Sequence, residues 1–168
     1  FSFQEGNSES QDSEPPEPSP ANLVDLTVDD GVIDVDASWL TNYTKKVLVE
    51  LALCDATVAI RVVGDVAMAA MHVQHSDVEG TTDVLTFQHS AEGEQLSVDV
   101  AVCVDEAERQ ASERGHSVNH ELLLYIVHGI LHCIGFDDHS KEEHLKMHKE
   151  EDRILQAIGA GSVWGQSC

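Results

Sequence analysis

An α+β domain is predicted by three features of this 168-residue sequence. Short β-branched or alternating runs interrupt its first two thirds, amphipathic and apolar helical patterns close it, and no internal repeat runs through it. The length supports one domain with a real core rather than two. Residues 1–21 are rich in Ser, Glu and Pro, contain all four prolines, and carry too little apolar surface to offset the entropy of ordering, so a disordered acidic tail is expected. The domain is assigned to residues 22–159 and a flexible C-terminal tail to 160–168.

Leu23 to Val28 alternates and ends at the turn signal Asp29-Asp30-Gly31, which predicts a strand. Asp36 is a fitting N-cap for a helix to about Leu53, with Leu40, Tyr43, Val47, Leu48 and Leu51 on one face and Lys45 and Lys46 on the wet side. Thr57–Val63 is β-branched and reads as a central strand. Val66–Met71 is Ala-rich and helical, and a polar link around Asp77 to Gly80 leads to a short strand, Val84–Phe87. Leu96–Val104 has the alternation of a longer strand, and Asp105–Arg114 is a charged helix closed by Gly115. Asn119 is read as the cap of a helix from His120 to about Ile134 that is apolar almost all round, and therefore buried. Ser140-x-x-Glu143 is a capping box opening a last helix, with Met147, Ile154, Leu155 and Ile158 inward and Gly159 at its end.

Charge limits the function classes. With 31 acidic against 9 basic residues the net charge is −22, and no Lys or Arg precedes Lys45. Such a surface disfavours a nonspecific nucleic-acid binder. The four cysteines are scattered without a C-x-x-C pair, no apolar run is long enough for a membrane span, and no basic-then-apolar leader is evident. A cytoplasmic protein with no membrane partner is expected.

The segment His128-Gly-Ile-Leu-His132-Cys-Ile-Gly135-Phe-Asp-Asp138-His139 carries the chemistry. His128 and His132 lie one turn apart on one helix face, and Gly135 is a natural helix stop that lets the chain return toward them. Two buried imidazoles need partners for their ring nitrogens. A metal ion meets that need, as do ordinary hydrogen bonds in a core. Asp138 and His139 both lie just past the turn as third ligands; imidazole suits zinc better, so the expected set is His128, His132 and His139. Three protein ligands with an open position is the arrangement of a catalytic zinc. Asp137 reads as a turn former or an acceptor orienting a histidine. Gly129 stands where the H-E-x-x-H pattern has its Glu, which argues against a peptide hydrolase of that type. The pairs His116/His120 and His144/His148 read as solvated side chains, and Cys133 as core packing.

The run HGILHCIGFDDH resembles the H-G-x-L-H-x-x-G-x-D-H signature of the YbeY family of metal-dependent endoribonucleases. Thr82-Asp-Val-Leu-Thr-Phe87 is similar to its T-[ND]-V-L-[ST]-F strand, and Val98-Asp99-Val-Ala-Val-Cys103 to its G-D-I-x-I strand. The resemblance implies a small mixed sheet flanked by helices, zincin-like, with the metal helix central. It also implies zinc-dependent cleavage of single-stranded RNA in ribosomal RNA maturation, with an rRNA precursor and the ribosomal small subunit as partners and no DNA. The rival is a non-catalytic ribosome-assembly factor whose metal is structural. The sequence departs from the family pattern twice: an extra Asp precedes the last histidine, so strict alignment puts Asp138 in the ligand position, and His75-Ser76 stands for the usual Y-R pair, which removes an arginine thought to hold RNA phosphate. No general acid or base is identified by the remaining polar residues.

Overall fold

The computed structural model describes residues 21–76 and 82–161. The N-terminal tail up to residue 20, the link over 77–81 and the C-terminal tail from 162 lie outside the described residues. In chain order the elements are β1 (Leu23–Val28), α1 (Ala37–Glu50), β2 (Thr57–Val63), α2 (Asp65–Ser76), β3 (Val84–Gln88), β4 (Ser97–Cys103), α3 (Val104–Arg114), α4 (Val118–Cys133) and α5 (Lys141–Ala157). The sheet order is β1-β2-β4-β3; β1, β2 and β4 run parallel, and β3 pairs antiparallel with β4. The α+β class and the mixed sheet expected from sequence are both present.

Strand alternation separates two cores. Val58, Ile60 and Val62 of β2 and Val98, Val100 and Val102 of β4 face the main core, which they share with Leu40, Val47 and Leu48 of α1 and the apolar body of α4. On the other face Val63, Leu85, Ala101 and Cys103 pack with Met68 of α2 in a smaller cluster. Between Glu121 and Leu131, only His128 of α4 escapes full burial, and α5 closes over this helix with Met147, Ile154 and Leu155. Each fully buried Leu or Ile contributes roughly 1.5–3 kcal/mol. That gain holds α4 in place although three histidines lie along it.

The caps fix where the helices begin. Asp36 accepts from the Trp39 N–H at 3.0 Å, as expected for the start of α1. Ser140 and Glu143 form the reciprocal capping box of α5, at 3.0 and 3.2 Å. The cap of α4 differs from the sequence expectation: Ser117 keeps an extended backbone and accepts from the His120 N–H at 3.0 Å. Asn119, inside the first turn, instead accepts from the Asp36 N–H at 2.9 Å and so joins the starts of α1 and α4. Both residues have the chemistry of a cap; backbone conformation decides between them.

Gly129 is required by close packing. A Cβ there would stand 2.9 Å from Thr86 Cγ2 and 3.3 Å from Val84 Cγ2, so α4 sits against β3 at a distance only glycine permits. Thr and Val are stiff at χ1 and cannot swing aside cheaply. Gly129→Ala gains about 1 kcal/mol of helix propensity but forces overpacking worth about 1–3 kcal/mol. We expect a net loss of stability of about 1 kcal/mol, read from the denaturant midpoint; an unchanged or raised midpoint would show that α4 and β3 are not in tight contact.

Candidate metal centre

His128 and His132 lie on the last two turns of α4, half-buried, with ring centroids 4.7 Å apart. The helix stops at Gly135, whose φ of 115° is open to glycine and strained for other residues. The Phe136 N–H returns to the Leu131 carbonyl at 3.0 Å, turning the chain back. That turn delivers Asp138. Its Oδ2 lies 3.8 Å from His128 Nε2 and 3.6 Å from His132 Nε2, and the three donor atoms fall within 4.8 Å of one another. Two ligands of a tetrahedral zinc, each bonded at about 2.0–2.1 Å, are roughly 3.3 Å apart. The spacing therefore fits a divalent ion after small side-chain adjustments.

His139, placed in the ligand set by sequence, sits elsewhere: its side chain is 84% exposed, and its Nδ1 pairs with Asp137 Oδ2 at 3.1 Å. Asp137, Asp138 and His139 also lie close together, with the two Asp half-buried and His139 exposed. The turn after Gly135 is one residue too short for His139 to face the helix, so Asp138 points inward.

The residue most clearly missed by sequence is Glu151. It is 1% exposed, and its Oε2 lies 2.6 Å from His128 Nδ1. A carboxylate on Nδ1 fixes the ring and leaves Nε2 directed at the donor cluster, the usual outer partner of a metal-binding histidine. Burial opposes protonation of His128, but the hydrogen bond and charge of Glu151, with Asp83 and Asp138, outweigh it and raise its basicity. A more basic imidazole is a stronger ligand once its proton has left. The signal in sequence was a Glu at a position flanked by the inward-facing Met147 and Ile154 on α5, where an apolar residue is expected.

Two of the donors, His128 and Asp138, line a cavity of about 490 Å³ whose walls also include Asp83, Glu106, Gln110, Arg114, Tyr125, and His148 of α5. His144 also lines it, so this pair is not simply solvated; burial lowers the basicity of His148. The His116/His120 pair is likewise tied down. Their rings stack at 4.8 Å, His116 Nε2 lies 2.5 Å from Glu121 Oε1, and His120 Nε2 lies 3.1 Å from the Gly161 carbonyl oxygen. Cys133 packs half-buried against the main core, as expected, and burial pushes its thiol up. Cys54, Cys103 and Cys133 are free thiols.

Fold and donor set together define a small α+β protein with a two-histidine, one-carboxylate centre at the mouth of a polar cavity. Residues 27–159 match the family described as Endoribonuclease YbeY, and the chain belongs to that family. An Endoribonuclease YbeY from Frankia alni is 35% identical over 138 residues, covering 74% of this chain and 76% of the relative. One from Mycobacterium bovis is 30% identical over 144 residues, covering 78% and 81%. The solution structure of a Thermotoga maritima protein is similar with a TM-score of 0.54 and 25% identity, over 86% of this chain and 100% of that one.

Glu151→Gln keeps the shape but removes the charge that holds His128. The expected result is a 10–100-fold weaker affinity for zinc, measured by competition with a chromogenic chelator. Unchanged affinity would remove Glu151 from any role at the centre.

Proposed function

We propose that this chain is a metal-dependent endoribonuclease that cuts single-stranded RNA during ribosomal RNA maturation, with zinc held by His128, His132 and Asp138. The observation that carries the reading is the convergence of those three side chains, with Glu151 behind His128, beside a polar cavity. Family membership supplies the reaction class. A divalent ion at this place supplies Lewis-acid polarisation of a phosphodiester and a nucleophile competent at neutral pH. The protein's part is positional. Glu151 holds the His128 ring, the turn at Gly135 aims Asp138, and the walls of the cavity receive the strand. The Asp138 carboxylate replaces an imidazole of the expected set and lowers the net charge of the centre by one unit.

A peptide hydrolase is opposed by packing as well as by sequence, because the tight contact of Gly129 with Thr86 leaves no room for a glutamate at 129. No described helix is long and apolar enough to cross a membrane. Free thiols are at home in a reducing compartment. Both fit work in the cytoplasm, and the strongly acidic surface fits an RNA presented by a partner such as the ribosomal small subunit better than unaided capture from solution.

Ligand choice and function are tested separately. Asp138→Ala and His128→Ala are expected to lose at least tenfold in zinc affinity by isothermal titration, while His139→Ala binds like the unaltered protein; the reverse order for 138 and 139 would restore the imidazole set. For function, a precursor rRNA fragment incubated with the zinc-loaded protein is expected to be cut, with cleavage abolished by chelator and by His128→Ala. RNA binding with no chelator-sensitive cleavage would assign the chain instead to non-catalytic ribosome assembly, a reading that the Ser76 departure from the family's arginine keeps in play.

A further inference from the structure

Resting on the RNA-cleaving reading above, we propose that a second cavity beside the donor cluster receives the base of a nucleotide next to the cut bond, and that it takes guanine before uracil. An endonuclease breaks a strand that continues on both sides of the bond, so its centre needs room on both sides. The donor residues divide accordingly. His128 and Asp138 line the cavity described above, whereas His132 lines another of about 660 Å³, a volume in the usual range for small-ligand sites.

Three separate parts of the chain enclose it: Leu53 after α1, the connection between β3 and β4, and Ile134 with Gly135 at the end of α4. The connection is tied to itself. The His89 N–H donates to the Ser97 carbonyl at 2.7 Å, the Ser97 N–H to Ser90 Oγ at 3.0 Å, and the Ala91 N–H to Glu94 Oε1 at 2.7 Å. A wall held in this way needs little ordering when a ligand arrives. Ile134 keeps 37% of its surface exposed and Leu53 is half-buried, so a flat base has two apolar side chains to lie against.

The polar lining decides which part of a nucleotide enters. Among the described residues no Lys or Arg lines this cavity, whereas Glu92 and Glu94 do, so a phosphate is repelled and a neutral base is not. Open acceptors remain for the base edge. Glu94 is engaged by Ala91, but Glu92 is exposed and has no hydrogen bond or ion pair among the described residues. Gln88 and Gln95 each commit the amide nitrogen to a long contact, with Ser90 and with Asp55, both at 3.5 Å, and keep the carbonyl oxygen. Guanine presents two adjacent N–H donors on its pairing edge, which match the two oxygens of a carboxylate. Uracil presents one N–H between two carbonyl oxygens, and those oxygens would face the negative charge of Glu92.

The test compares two non-cleavable 2′-O-methyl strands of twelve nucleotides, one all uridine and one with a single central guanosine, binding to the zinc-supplemented full chain by fluorescence anisotropy. The guanosine strand is expected to bind about tenfold more tightly, the effect of one bidentate base contact, and Glu92→Gln to bring the ratio of the two affinities within about twofold of parity. Equal affinities in the unaltered protein, or a ratio unchanged in the folded variant, overturn the proposal. The place of binding is read from the side-chain amide resonances of Gln88 and Gln95 in the unaltered protein, which also decide the matter should the variant not fold. A shift with the guanosine strand supports the cavity as the site, and a guanosine preference that leaves both amides unmoved overturns it. A protein that cuts the precursor rRNA and shows no base preference keeps the RNA-cleaving reading and loses this one; a protein that binds neither strand and cuts nothing loses both.

Discussion

A carboxylate that is 1% exposed must be met by a cation or a donor, and Glu151 is met by His128. Much of the geometry beside the cavity follows from that requirement. Burying an unpartnered carboxylate costs several kcal/mol, so α5 cannot settle on α4 in a register that separates the two. The pairing fixes the His128 ring, the ring defines where Nε2 points, and Asp138 comes back to that point from the turn beyond α4. A second buried carboxylate repeats the device two turns earlier, where Glu121 is satisfied by Arg114 and His116. Both acidic groups sit on or against the same helix, and each holds one basic side chain at the edge of the cavity.

The sheet supplies the floor under this arrangement. Parallel strands β1, β2 and β4 bury a nearly continuous apolar face, which lets α4 be apolar on almost every side and still be covered. Helix α4 therefore has little freedom to rotate. Rotation would expose Leu and Ile side chains on one flank while driving residue 129 into Thr86 on the other. Between Glu121 and His132, the two half-buried positions on this helix are His128 and His132.

Much of the fold was legible because its signals are local. The β-branched run at Thr57–Val63, the cap at Asp36 and the box at Ser140/Glu143 each act over a few residues, and each appears in place. Helix α2 extends to Ser76, beyond the Ala-rich stretch that announced it, and near its end the His75 ring meets Phe87 of β3 edge-on, a contact between elements that no local pattern announces. At the site, spacing along the helix located His128 and His132, since two residues four apart on a helix share a face whatever surrounds them. The third donor depended on how tightly the chain turns after Gly135, a property of backbone angles that sequence pattern does not carry. Glu151 and Glu121 were less legible still. Their roles arise from tertiary partners 23 and 7 residues away, and the trace each left was an acidic residue at a position where burial calls for an apolar one.

Strand β3 joins the sheet at its edge and, among the described strands, is the one that runs against the others. Its alignment with β4, Val84 opposite Val102 and Thr86 opposite Val100, places Thr86 beneath Gly129 and leaves Asp83 at the cavity wall. Sliding it by one residue would invert which side chains face the helix, withdrawing both contacts together. A peripheral strand is ordinarily where a fold absorbs insertions and deletions. Here that tolerance is forfeited, because the outermost ribbon serves as the gauge against which the reactive helix is seated.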